Sequence, residues 1–449
     1  MTEAEALGVL RSVLDNPHAS WSCDAQRDSL LAVMACENDV CAILRTGAGK
    51  TMLIIIPAML EGGITVVILP LKSLVTDYER RLVKLSVPHE IYDGPSSVIS
   101  GNDGLILVSV DKARTSDWHE KITMAHEKYG VTRIVFDEAH FSLTGDDFRD
   151  SLRNLSEIRN IAVQVVLLSG TVPPFAEKTL TARFGLRDGY KVFRTDTDRP
   201  ELEYIVASKL KTSEDICRKA VSILNSESQS FLEEDRALIY VPYTKEGEQL
   251  AKILGCDLYH GGQNLSDVHR QAVYQRWIDG QHKVMVCTGA FSAGNDYSHV
   301  RLIIHAGTPY ELISCVQEMS RAGRDGQKAK CFILAKEKFQ FPVIPSHDPD
   351  YRGKKAMWDL LYSSQLCIRF LVTQYNDGKG VLCRDSALKL KCSRCRVSME
   401  QPGLELHVKG KAAIPNQHTN PSHMAPRNHG IVNKHYPRSL QHFTNPNEK

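Results

Sequence analysis

The chain has 449 residues, 42% apolar and 24% charged, a length beyond one ordinary core and suited to two or three units of soluble globular composition. Its 55 basic and 53 acidic side chains leave a net charge of +2, which excludes a globally basic coat, so any nucleic-acid surface must come from local sorting of charge. No segment reaches the roughly 18 uninterrupted apolar residues of a membrane span, and the acidic stretch MTEAEALGVLRSVLDNP at the start does not read as a secretory leader, so an intracellular protein is expected.

In chain order, the runs CAILRT, ITVVILP, LILVSV, RIVFDEAH and VQVVLLSGT each end in polar or small residues, with helical stretches between them. That rhythm predicts an α/β fold: a parallel sheet with helices on both faces and ligands at the carboxyl ends of the strands. After the turn-like TDTDRPEL, Thr195 to Leu202, it restarts with LEYIVAS, RALIYVPYT, KVMVCTG, VRLIIHAG and AKCFILA. The expected division is therefore a first α/β domain over 1–196, a second over 197–340, a small helical subdomain over 341–400 and a disordered His/Asn/Pro-rich tail over 401–449.

ILRTGAGKT, Ile43 to Thr51, sits between a predicted strand and a predicted helix. A glycine-rich turn there points backbone N–H groups at phosphate oxygens, and a lysine reaches the β and γ phosphates. Lys50 is the expected phosphate contact and Thr51 a magnesium ligand, although the usual pattern wants glycine where Leu44 stands and Gly-Lys-Thr also suits an ordinary loop. VFDEAHF, Val135 to Phe141, ends an apolar strand in two adjacent acids. Phosphoryl transfer needs two: Asp137 to hold magnesium and Glu138 to orient or deprotonate the attacking water. In the second lobe QEMSRAGRDGQ spaces Gln317, Arg321 and Arg324 at i, i+4 and i+7, one face if the segment is helical, able to meet a γ-phosphate across the cleft. Of twelve cysteines, eight lie singly from Cys23 to Cys331 and four crowd between Cys367 and Cys395, a distribution that suits reduced core thiols plus one metal site.

With these residues assembled, the chain resembles the superfamily two helicases and, within them, the RecQ family. Trp21 and Gln26 resemble the adenine-reading pair, and TGAGKT is that family's phosphate loop, which does not require the distant glycine. ILPLKSL resembles the next motif, DEAH and LSGT are the Walker B and coupling motifs, and RALIYVPYT, YHGG, AFSAGND and QEMSRAGRDG follow in the family's order. The resemblance implies two RecA-like lobes with ATP bound between them by Gln26, Thr46, Gly47, Ala48, Gly49, Lys50, Thr51 and Asp296. It further implies magnesium at Thr51 and Asp137, coupling through His140, Ser169 and Thr171, and structural zinc on Cys367, Cys383, Cys392 and Cys395, with Cys367 on a helix. DNA contacts fall at Lys72, Phe148 and Arg149, with Arg114 a further expected contact. The implied activity is an ATP-dependent 3′ to 5′ helicase or translocase acting on single-stranded and forked DNA in recombination and repair, and the implied residence is the nucleus.

The match departs from the family in several places. Leu143 and Thr144 stand where its DNA-sensing loop carries Gln and Trp, Ser320 where a glycine is usual, and Ser292 and Asn295 where Gly and Ile are usual. Too little sequence follows for a winged-helix domain, as in truncated cores among fungal RecQ-like and telomere-linked helicases. Two other functions therefore stand beside the motor: a DNA-binding clamp with a decayed ATPase, and an RNA helicase, since DEAH is shared with that class.

Overall fold

The structure, a computed structural model, describes residues 2–102, 104–143, 161–262, 266–292, 297–337, 341, 351–363 and 365–400. The first lobe is built on β1 (Val40–Ile43), β2 (Ile64–Leu69), β3 (Glu90–Tyr92), β4 (Leu105–Ser109), β5 (Val131–Phe136), β6 (Gln164–Ser169) and β7 (Lys191–Arg194). These pair in parallel in the order β3-β4-β2-β5-β6-β1-β7. The second lobe uses β8 (Leu202–Leu210), β9 (Arg236–Tyr240), β10 (Leu258–Tyr259), β11 (Val284–Cys287), β12 (Val300–Ala306) and β13 (Ala329–Lys336), parallel in the order β10-β11-β9-β12-β13-β8. Among the described residues no helix is long and apolar enough to cross a membrane.

Central strands are apolar along their whole length because helices cover both faces. Alternation decides which face each residue feeds: Val67, Leu69, Val135, Val166 and Leu168 pack in one core, while Val66, Ile68, Ile134, Phe136, Val165 and Leu167 pack in the other. The strand order matters for function. Because β5, β6 and β1 are neighbours, the tips that carry Asp137, Ser169 and the phosphate loop emerge side by side, with Ile43 level with Ser169 and Phe136 level with Leu167.

Two helical expectations are corrected. The helix that carries Gln317 runs only from Leu312 to Met319 and ends at Ser320, so Arg321 and Arg324 lie in the turns that follow and not on a continued helical face. Within those turns Gly323 sits at φ +61°, where a side chain would meet the Gln327 carbonyl at 2.7 Å. The other correction concerns Cys367, expected on a helix: the chain runs through the helix Tyr351–Trp358, a π-helical turn Asp359–Ser363 and the helix Ile368–Asp377, and Cys367 is the residue that precedes the last of these.

Candidate nucleotide and metal sites

Leu44 continues β1, its N–H donating to the Ser169 carbonyl at 2.9 Å and its side chain fully buried in the core, so the position belongs to the sheet and has no use for glycine. The turn proper begins after it, with Gly47 at φ +86° and Gly49 at φ +72°. Gly49 is required twice over, since a Cβ there would lie 2.3 Å from Gln26 Nε2. Gln26 is buried and spans the loop: its Oε1 accepts from the Ser22 N–H at 2.7 Å, and its Nε2 donates to the Gly49 carbonyl at 3.2 Å. Lys50 Nζ donates back to the Leu44 carbonyl at 3.3 Å, the start of its own loop. Trp21 packs on the same core and donates its indole N–H to Glu3 at 3.1 Å.

Asp137 and Glu138 follow β5, and Glu138 adopts φ +51°, a left-handed backbone unusual for a residue with a side chain. That turn lets the Glu138 N–H donate to Asp137 Oδ1 at 2.9 Å and brings Glu138 Oε2 to 3.3 Å from His140 Nδ1. Burial and the neighbouring Glu138 charge push the Asp137 carboxyl up, opposed by Lys50 and by a hydrogen bond from Tyr78. Burial also pushes Glu138 up, but the His140 hydrogen bond with the charges of Lys50, His140 and Arg321 outweighs it and holds Glu138 down at about 2. Glu138 is thus ionised at neutral pH, the state in which a carboxylate is able to accept a proton.

His140 links the lobes. Gln317 Nε2 donates to His140 Nε2 at 2.6 Å, which puts the ring proton on Nδ1, facing Glu138 and the Ser169 hydroxyl at 3.1 Å. Ser169 Oγ accepts from the Thr171 N–H at 3.2 Å. Ser320 reaches across too, its hydroxyl donating to Thr46 Oγ1 at 3.1 Å. Arg321 is buried, with its guanidinium 5.0 Å from the centre of the Phe291 ring, and its charge acts on Glu138. Arg324 turns back toward the Ser320 carbonyl at 3.5 Å.

The Lys72–Lys84 helix contributes residues that the motif reading missed. Tyr78 donates its hydroxyl to Asp137 Oδ2, and Arg81 Nη1 donates to Thr51 Oγ1 at 2.9 Å. The only sequence signal is their i, i+3 spacing. Lys72 itself is exposed, 3.8 Å from Asp93. Arg114 is an exposed residue just past a short helix. Phe148, Arg149 and Asp296 lie outside the described residues.

All four clustered cysteines converge. Their sulfurs lie within 4.8 Å of one another, Cys367 to Cys383 at 3.4 Å and Cys392 to Cys367 at 3.9 Å. A tetrahedral zinc site with Zn–S near 2.3 Å sets sulfurs about 3.8 Å apart, so the donor set and spacing fit that ion. The backbone prepares the sulfurs: Ile368 N–H donates to Cys392 Sγ at 3.4 Å and Cys392 N–H to Cys383 Sγ at 3.3 Å. Cys367 works from the position before its helix, not on it, because the free N–H at the helix start is then available to a partner sulfur.

The same module holds the segment joining the two lobes. Arg369, fully buried, pairs with Asp198 and donates to the carbonyls of Arg199 at 2.9 Å and Leu202 at 2.6 Å. Ser386 donates to Asp198 at 2.9 Å, and Asp377 accepts from the Thr197 hydroxyl at 2.9 Å. Arg199 in turn donates to the carbonyls of Ser320 at 3.0 Å and Ala322 at 2.7 Å.

Residues 23–179 match the DEAD/DEAH box helicase family and residues 219–326 the helicase conserved C-terminal domain. The mouse bifunctional 3′-5′ exonuclease/ATP-dependent helicase WRN is 29% identical over 77% of this chain and 26% of its own length. A putative ATP-dependent RNA helicase, R290, of Acanthamoeba polyphaga mimivirus is 30% identical over 66% of this chain and 55% of its own. A putative ATP-dependent DNA helicase Q1 of Caenorhabditis briggsae is 27% identical over 87% and 65% respectively. The chain therefore spans from about a quarter to about two thirds of the length of these relatives. With its phosphate loop, DEAH strand and LSGT strand side by side in one lobe and a helicase C-terminal domain following, the chain is a relative of the RecQ-family helicases.

Proposed function

We propose that this chain is an ATP-dependent 3′ to 5′ DNA helicase or translocase of RecQ type, acting on single-stranded and forked DNA in recombination and repair, in the nucleus. The observation that carries this reading is the unbroken line Glu138–His140–Gln317, which runs from the acid beside the phosphate loop to the second lobe. Such a line makes the position of the second lobe felt at the hydrolytic carboxylate.

In this reading the first lobe spans 1–196, the second 197–340 and the zinc module 341–400. Gln26 reads adenine, Thr46 to Lys50 cradle the phosphates, Asp296 completes the nucleotide site, and Thr51 and Asp137 hold magnesium, which neutralises phosphate charge when bound. Glu138 receives the proton of the attacking water. Arg321, already buried beside Glu138, stabilises charge on the transferred phosphoryl group, and Arg324 swings from the Ser320 carbonyl to join it. DNA lies across both lobes, held by phosphate contacts that include Lys72, Phe148 and Arg149, so binding is weak in sequence preference and steep in salt. Zinc on the four cysteines holds the module that grips the inter-lobe segment.

An RNA substrate is the second reading, favoured by the viral relative; the DNA reading draws on WRN and Q1, which align over more of this chain. The test is steady-state ATP hydrolysis with and without single-stranded DNA, with matched RNA as competitor and Lys50→Ala and Glu138→Gln as controls. Turnover stimulated by DNA and abolished in both variants is expected. Stronger stimulation by RNA moves the substrate to RNA, and turnover no faster than the variants with DNA binding retained makes the chain a clamp.

A further inference from the structure

The Lys72–Lys84 helix touches both residues that the functional reading above assigns to magnesium, and it does so from adjacent turns of one face. Tyr78 and Arg81 are three positions apart, so their side chains leave the helix on the same side. Tyr78 is buried, as is its partner Asp137, and its hydroxyl has a donor to give the carboxylate. Arg81 places a cationic donor 2.9 Å from the Thr51 oxygen. The two contacts have opposite consequences for a cation. The hydroxyl on Oδ2, with the Glu138 N–H on Oδ1, fixes the carboxylate plane and leaves a second lone pair on each oxygen for a cation, as partners behind a metal ligand do in many sites. A guanidinium at the hydroxyl oxygen of Thr51 occupies a lone pair that a cation needs and repels the cation's charge.

We propose that Tyr78 and Arg81 are positioning residues of the magnesium ligands: Tyr78 sets the orientation of Asp137, and Arg81 holds Thr51 until a divalent cation displaces it. This inference rests on the reading of Thr51 and Asp137 as magnesium ligands. Loading of the cation then requires Arg81 to leave Thr51, so the helix that begins at Lys72 senses whether the metal is in place. The first residue of that helix is the expected backbone contact of the strand, and one rigid element therefore spans both.

The test is magnesium titration of a fluorescent ADP analogue bound to the full chain, read by fluorescence without turnover, for wild type, Tyr78→Phe, Arg81→Ala and Arg81→Lys. Binding in EDTA supplies the metal-free reference, and thermal melts without nucleotide report folding. Tyr78→Phe is expected to raise the half-saturating magnesium concentration about fivefold and Arg81→Ala to lower it about fivefold, with Arg81→Lys close to wild type and affinities in EDTA within twofold. Shifts in the same direction, or none beyond twofold in variants that melt like wild type, overturn the inference. If wild type itself binds the analogue equally in EDTA and magnesium, the assignment of Thr51 and Asp137 fails first, and the inference with it.

Discussion

The hydroxyl of Ser320 lies 3.1 Å from Thr46 Oγ1, joining the second lobe to the phosphate loop of the first. The residue departs from the glycine usual at that place in the family, and it adds a hydrogen bond that glycine cannot make. Ser320→Ala removes it while keeping the backbone ordinary. A neutral hydrogen bond is worth about 1 kcal/mol, so amide hydrogen exchange in the Thr46–Lys50 loop is expected to quicken about fivefold. An unchanged loop with an unchanged melting temperature would show that the contact contributes nothing.

Gln317 and His140 test the link between lobes directly. Gln317→Ala takes the donor from His140 Nε2 and frees the ring to change tautomer, so Nδ1 no longer presents its proton to Glu138. The expected result is a kcat for ATP hydrolysis lowered about tenfold or more, with nucleotide affinity little altered, as for a positioned acid–base group. A rise in KM with kcat unchanged would instead make Gln317 a nucleotide-binding side chain.

The sulfur cluster gives a chemical prediction. About one zinc per chain is expected by elemental analysis, lost when Cys392 and Cys395 are both changed to Ser, because a structural site is bound as one folding unit. Metal loss is also expected to speed proteolysis within residues 195–202, since the Arg369 and Ser386 contacts to Asp198 come from the same module. Metal content unchanged in the double variant would defeat the site.

Arg369 and Asp198 form a buried pair, and breaking it from one side leaves a charge behind. Arg369→Met is expected to cost about 3–5 kcal/mol in urea unfolding. Replacing both, as Arg369→Met with Asp198→Asn, is expected to cost less than Arg369→Met alone, and with Asp198→Asn alone to complete the cycle the coupling measures the pair. Equal losses would assign the effect to packing of the arginine stem.

Asp77 supplies a pH dependence. Burial raises its carboxyl to about 6 from an ordinary 3.8, against the opposing charges of Arg80, Arg321 and Arg81. The folded chain therefore holds more protons than the unfolded chain between about pH 4 and pH 6. The associated stability is complete below the unfolded value and is lost as pH rises through the folded one. Asp77→Asn has no such loss, so its stability relative to wild type is expected to grow across that window, reaching on the order of 3 kcal/mol by pH 7. Urea midpoints of the two proteins at pH 4, 5, 6 and 7 decide it; a constant difference rejects the shift.

Central strands were legible because both faces are covered, so VVIL and VVLL announce themselves as unbroken apolar runs. The strands that sequence reading passed over, Glu90–Tyr92, Lys191–Arg194 and Leu258–Tyr259, all lie at sheet edges, where a short segment half in solvent carries no such run. The phosphate loop, the paired acids and the four cysteines were readable because their chemistry fixes residue type and spacing together. Tyr78, Arg81 and Arg369 were not, since a tyrosine or arginine on an amphipathic helix looks the same whether it meets water or a buried carboxylate. The helical reading of Arg321 and Arg324 failed because the helix closes at Ser320, ahead of both arginines, and the turns that follow carry Gly323 in a left-handed backbone.

The segment between the lobes is sealed from far downstream: Thr197 meets Asp377 across 180 positions, and Asp198 meets Arg369 across 171. During synthesis each sheet can assemble from its own strands as they emerge from the ribosome, but Thr197 and Asp198 lack these partners until the cysteine module is made, while Arg199 already meets the Ser320 and Ala322 carbonyls of the second lobe. This part of the joint is therefore clasped last, after both sheets exist, and a chain stopped before residue 369 carries two formed halves whose connecting segment lacks the Thr197 and Asp198 contacts. A metal bound by the four cysteines would therefore act on the joint only after both sheets exist, because the residues that clasp Thr197 and Asp198 belong to that late module.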